Sequence, residues 1–125
     1  MEREFLERRR HQRVELSLFI KGELPYKLFK RHRFRGTTTD LSYGGLCIEI
    51  PNRNGFKPGQ RLKFKTSLYE GDFSIKGEGT ICWVDLPDEE DRPLQVGVKL
   101  THIRRYGIWH QRIDHMLTAR QNLPS

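Results

Sequence analysis

QRLKFKTSL, residues 60–68, decides the fold class: Leu62, Phe64 and Leu68 fall on one side of an extended chain, and Arg61, Lys63 and Lys65 on the other. A period of two belongs to a strand, because successive side chains point to opposite faces of the pleat. One apolar and one charged face mean a sheet buried on one side and wet on the other, the habit of antiparallel sheets. The same alternation recurs in Val14, Leu16, Leu18 and Ile20, with Arg13, Glu15, Ser17 and Lys21 opposite. It returns in Leu46, Ile48 and Ile50, and in Val96, Val98 and Leu100. Phe73, Ile75, Ile81 and Trp83 continue it across Gly77 and Gly79, which mark a bend or bulge where the sheet curls.

Between these runs lie turn formers. Residues 22–36, GELPYKLFKRHRFRG, carry Gly22, Pro25 and Gly36 and read as a long connection into a strand at Phe34–Asp40, where the β-branched TTT suits a pleated surface. Within it, KRHRFRG (30–36) reads as an exposed hairpin loop, with a basic partner-binding patch as the alternative. PNRNGFKPG (51–59) is a loop, and DLPDEEDRP (85–93) an acidic turn. After His102 the period lengthens: Tyr106, Trp109, Ile113, Met116 and Leu117 recur at three and four residues, predicting an amphipathic helix over about 104–121 that packs on the sheet. Gly107 weakens its first turn by about 1 kcal/mol relative to alanine, so the helix is expected to begin after it. The expected fold is mainly β: a small antiparallel six-stranded β-barrel over residues 13–121 closed by a C-terminal α-helix, behind a flexible basic segment of residues 1–12.

A chain of 125 residues suits one such domain. No apolar run is long enough to insert into a membrane and no signal-peptide core stands at the N-terminus, so a cytoplasmic protein is expected. Cys47 and Cys82 are far apart and spell neither a zinc motif nor a redox pair. The histidines show no HExxH spacing, the acidic turn has no calcium-loop spacing, and no GxSxG, phosphate loop or dinucleotide fingerprint occurs. A binding module is expected rather than an enzyme, with no metal and no resident cofactor. The net charge of +7 draws anionic partners.

Two local clusters give that charge a chemistry. RRRHQR (8–13) places Arg8, Arg9, Arg10 and Arg13 before the first strand, and DLSYGG (40–45) places Asp40, Ser42, Gly44 and Gly45 at a strand end. Arginine forks match phosphate oxygens and the O6/N7 edge of guanine. A carboxylate suits guanine's N1–H and N2–H₂ donors but repels bare phosphate, a hydroxyl serves either, and glycine lets backbone approach closely. Arginine by itself would read as a solvated tail; arginine with aspartate points to a guanine nucleotide.

Arg9-Arg10-His11-Gln12-Arg13 and Asp40-Leu41-Ser42-Tyr43-Gly44-Gly45 resemble the paired RxxxR and [D/N]xSxxG signature of the PilZ domains, bacterial receptors for cyclic di-GMP. The resemblance covers about residues 7–117 and departs mildly at Leu100, where the family more often has Phe. It implies that Arg9 and Arg13 grip the phosphates and the Hoogsteen edge of guanine, that Asp40 and Ser42 read its polar edge, and that Gly45 permits the turn. It implies an intercalated pair of cyclic di-GMP molecules where arginine precedes the motif, as Arg8 does, with Arg10 stacking on or pairing with the second. Trp83 fits two readings, a barrel core residue in register with Ile81 or a platform for guanine. The function expected is a ligand-switched adaptor acting on an unidentified protein target, with outputs such as motility or biofilm control. The rival is a basic barrel for RNA or single-stranded DNA, whose backbone-tracking groove has no use for Asp40.

Overall fold

Seven strands and one helix follow one another: β1 (Val14–Glu15), β2 (Phe19–Lys27), β3 (Lys30–Leu41), β4 (Gly45–Ile50), β5 (Arg61–Ser67), β6 (Ser74–Asp85), β7 (Leu94–Ile103) and α1 (Tyr106–Gln121). The computed structural model describes residues 13–27, 30–51, 55–67, 74–88 and 91–121. Every pairing is antiparallel, in the order β3-β2-β5-β6-β7-β4, and β4 pairs back onto β3. That last pairing closes a six-stranded barrel; β1 adds a short extra strand along β3. Closure leaves few strand edges open to wrong partners.

The apolar faces expected from the alternation meet inside. Ile20, Leu24, Phe34, Leu62, Phe64, Ile75, Ile81 and Val96 are buried there, and Trp109 and Ile113 of α1 join the same cluster. Gly22 and Gly77 leave room for the two phenylalanines: a Cβ at Gly22 would stand 2.2 Å from Phe34 and one at Gly77 2.4 Å from Phe64. The turn from β7 into α1 passes through Arg105, which takes a left-handed φ of 64°.

Several sequence expectations are corrected. The run from Val14 to Lys21 is not one strand. Leu16–Leu18 leave the ladder, and the Thr38 hydroxyl fills the gap, accepting from the Leu18 amide at 2.9 Å and donating to the Leu16 carbonyl. The long connection of residues 22–36 is instead a strand hairpin, with β2 running to Lys27 and β3 starting at Lys30. KRHRFRG is therefore strand and not loop. Its period of two was hidden because the inward positions are His32, Phe34 and Gly36 while Arg31, Arg33 and Arg35 point out. Pro25 is tolerated because β2 pairs with β5 only over Ile20–Glu23, so no ladder donor is missed on that side. The helix includes Gly107, and Tyr106 is 48% exposed rather than packed on the barrel.

Candidate functional site

Arg13 and Asp40 meet. The Arg13 guanidinium donates to the Asp40 carboxylate at 2.7 Å, with both side chains partly in solvent. This joins the end of the RxxxR stretch to the start of DLSYGG, brought together because Glu15 pairs with Asp40 and Val14 with Leu41.

Two β-bulges set what stands beside the pair. Thr38 faces Ile48 and Asp40 faces Cys47, so Thr39 is an extra residue in β3. Ile81 faces Val98 and Trp83 faces Gly97, so Cys82 is an extra residue in β6. Each bulge reverses the alternation beyond it. Asp40 and Trp83, which simple alternation would send inward with Thr38 and Ile81, turn to the outer face. A cross-strand row results on that face: Glu15, Asp40, Cys47, Gly97, Trp83. Trp83 is 39% exposed, and this removes it from the core reading. Its indole lies over Gly97, where a Cβ would stand 2.1 Å from Nε1 and 2.2 Å from Cε2. Gly97→Ala is expected to push the indole off this floor, red-shifting tryptophan emission and costing about 1–3 kcal/mol in a denaturant titration. Trp109 is fully buried and supplies a constant background to that signal.

The turn after Asp40 is held from behind. The Ser42 amide donates to the Gly45 carbonyl at 2.9 Å and the Ser42 hydroxyl donates to the same oxygen at 3.2 Å, which closes the β3–β4 hairpin. Ser42 is buried, so its hydroxyl faces the turn in this state. The Gly44 carbonyl accepts from the Leu100 amide at 2.8 Å, and neither Gly44 nor Gly45 has a positive φ. Gly45 is needed for a different reason: a Cβ there would stand 2.8 Å from the Val98 carbonyl oxygen of β7. Helix α1 completes the clamp. The Trp109 indole donates to the Ser42 carbonyl at 2.9 Å, the Tyr43 hydroxyl donates to Asp114, and the Tyr43 ring lies 4.5 Å from that of His110. Sequence reading did not assign Tyr43 or Trp109 to the site. The only signal was Tyr43's place inside DLSYGG, with no mark of its helical partner.

Cys47 occupies the middle of the row and is buried, whereas Cys82 is exposed. Burial pushes the Cys47 thiol above its ordinary value of 9.0; a hydrogen bond with the Thr39 side chain opposes this, and the Asp40 carboxylate reinforces it. The folded chain thus holds this proton more tightly than the unfolded chain. The associated stability is present below pH 9.0 and lost as pH rises through the folded value. Ellman's reagent at about pH 8 should titrate Cys82 promptly and reach Cys47 only on unfolding.

Arg8, Arg9 and Arg10, and the flexibility expected of residues 1–12, lie outside the described residues. Among the described residues no group of three or more His, Cys, Asp or Glu is placed to hold a metal, and no helix is long and apolar enough to cross a membrane.

Comparison with known proteins accounts for the architecture. A profile of the PilZ domain matches residues 7–119. The chain belongs to the PilZ domain family. Among solved structures, the Bacillus subtilis inhibitor of motility MotI/DgrA is similar at a TM-score of 0.68 and 14% identity, over 90% of this chain and 50% of that one. The PilZ domain chain spans about half the length of that protein. The PilZ domain of YcgR from Escherichia coli, a structure with c-di-GMP, is similar at a TM-score of 0.61 and 15% identity, over 91% of this chain and 95% of that one. At these identities the likeness concerns the fold. A comparison with curated proteins found no match.

Proposed function

We propose that this PilZ domain binds cyclic di-GMP on the outer face that carries Arg13, Asp40 and Trp83, and acts as a ligand-switched adaptor for another protein. The Arg13–Asp40 pair at 2.7 Å carries this reading, because it unites the two motif halves in one row with an exposed indole. A guanine offers acceptors on its Hoogsteen edge for Arg13 and donors at N1 and N2 for Asp40. It therefore satisfies both members of a pair that otherwise satisfy each other. Opening that pair costs little, since a solvent-exposed ion pair is worth about 0–1 kcal/mol, whereas hydrogen bonds to charged groups contribute about 1.5–3 kcal/mol each. Trp83 supplies a stacking face, and base stacking on aromatic side chains contributes about 1–3 kcal/mol.

Ser42 serves by closing the hairpin that aims Asp40, and Gly44 and Gly45 by admitting β7 behind it. Arg9 completes the grip on phosphate. Arg8 and Arg10 engage a second, intercalated ligand molecule. Ordering of the arginine-rich segment by the dianion changes the surface offered to the target, which must bind the two states differently. The protein acts in the cytoplasm without catalysis of its own.

Isothermal calorimetry with cyclic di-GMP tests this. Binding at micromolar concentration or tighter is expected, with two ligands per chain falling to one in Arg8→Ala. Absence of heat with cyclic di-GMP, together with tight binding of a single-stranded oligonucleotide, would overturn the reading in favour of a nucleic-acid barrel.

A further inference from the structure

The far side of the ladder carries a second charged feature that shares no residue with the nucleotide face. Lys21 pairs with Arg35 on one side and Lys65 on the other, Lys65 pairs with Lys76, and the Arg104 amide donates to the Lys76 carbonyl. Arg35, Lys21, Lys65 and Lys76 thus form one cross-strand row on four adjacent strands, which Arg104 extends from the turn after β7, all exposed. None of them makes an ion pair among the described residues. The next row behaves differently: Arg33, Glu23, Lys63 and Glu78 alternate in sign, with His102 paired to Glu78 at its end, and Lys63 reaches Glu78 at 3.8 Å. Like charges directly opposite each other on a sheet are destabilising. The fold gains nothing from the uniform row, while its neighbour shows how the same positions are neutralised.

We infer that the uniform row is a docking surface for an acidic helix of a partner protein. Neighbouring strands lie about 4.8 Å apart, so five cations extend over roughly 19 Å. Carboxylates one turn apart on a helix face are about 5–6 Å apart and follow that repeat, whereas same-face residues of an extended chain are about 6.7 Å apart and drift out of step. Four of the five cations line a shallow groove of about 520 Å³. Glu23 and Glu78 of the groove are already paired, with Arg31 and Lys63, and none of the exposed large hydrophobic residues lines it as a base-stacking platform. Beside the row, two residues before Lys21 on the same face, Phe19 is 87% exposed. An exposed aromatic ring beside the row offers apolar contact area to the same partner, and aromatic residues are enriched at interfaces.

The test is fluorescence anisotropy of the full chain with a labelled synthetic helical peptide carrying Glu at every fourth position on an alanine background. Binding is expected to weaken about tenfold or more in Lys65→Glu/Lys76→Glu, less in Lys65→Gln/Lys76→Gln, and steeply as salt rises from about 50 to about 300 mM. Phe19→Ser should weaken a peptide that also bears one leucine beside the Glu ridge. Peptide binding that is absent, or unchanged in the double variant, overturns the inference. So does tighter capture of a single-stranded oligonucleotide or of anionic phospholipid vesicles through the same lysines. Cyclic di-GMP calorimetry on the double variant separates the two surfaces, because its titration is expected to stay as in the parent chain.

Discussion

Asp40→Ala should weaken cyclic di-GMP binding by at least about a hundredfold while changing folding stability by less than about 1 kcal/mol. The two effects separate because the carboxylate has different partners in the two states. In the free protein it makes an exposed ion pair with Arg13, an interaction that water and salt largely level. In the proposed complex it meets guanine donors that would otherwise be desolvated against a bare methyl group. Removing one partner of a charged hydrogen bond inside an interface costs about 2–5 kcal/mol, and about 3 kcal/mol is already more than a hundredfold. Asp40→Asn is a sharper probe, since the amide keeps the size and one acceptor but brings its own donors against those of the base. Calorimetry for affinity and a urea titration for stability, run on the same samples, decide the matter. Equal losses in both would make Asp40 a structural residue and remove the basis of the proposed site.

Trp109→Ala should be the most damaging single change to the fold, at about 3–5 kcal/mol. Trp109 is fully buried, fills the space between α1 and the barrel, and its indole is the donor to the Ser42 carbonyl. Against a total stability of about 5–15 kcal/mol that loss leaves a marginal protein. Trp109→Phe therefore isolates the hydrogen bond. It keeps most of the apolar volume and strands the Ser42 carbonyl, for about 1–3 kcal/mol. Because Ser42 closes the hairpin that carries Asp40, the Phe variant should also lose affinity for cyclic di-GMP while remaining folded at room temperature. Stability lost with affinity unchanged would show that the helix supports the barrel without aiming the site.

Much of this fold is legible in the sequence. The strands at residues 46–50, 61–67 and 94–103 stood out because inward and outward positions alternate between apolar and charged types, a pattern that burial of one face imposes locally. RRRHQR and DLSYGG were legible for another reason: each is ordinary by itself, but the two in that order match both halves of the PilZ signature. What failed did so where the local pattern was masked or broken. Arg31, Arg33 and Arg35 alternate with His32, Phe34 and Gly36, and inward positions of such mixed type do not register as an apolar face. Trp83 was grouped with Ile81 because even spacing normally means a shared face; the extra residue Cys82 made it false. Tyr106 satisfied the helical period yet lies at the first turn, away from what Trp109 and Ile113 contact.

By itself the amino-acid sequence determined which faces of most strands are buried, where the chain turns, that a helix follows the last strand, and which residue types are available to meet a guanine nucleotide. Those are local properties, set by side-chain period and turn chemistry within a few residues. Only the tertiary structure decided the register: that β4 returns to β3 to close the barrel, that bulges at Thr39 and Cys82 turn Asp40 and Trp83 to one outer row, and that cations from four strands and the turn after β7 align on another. Where a bulge falls depends on which segment, distant in the chain, a strand pairs with. A single inserted residue reverses every side chain beyond it, so no local pattern can carry that information.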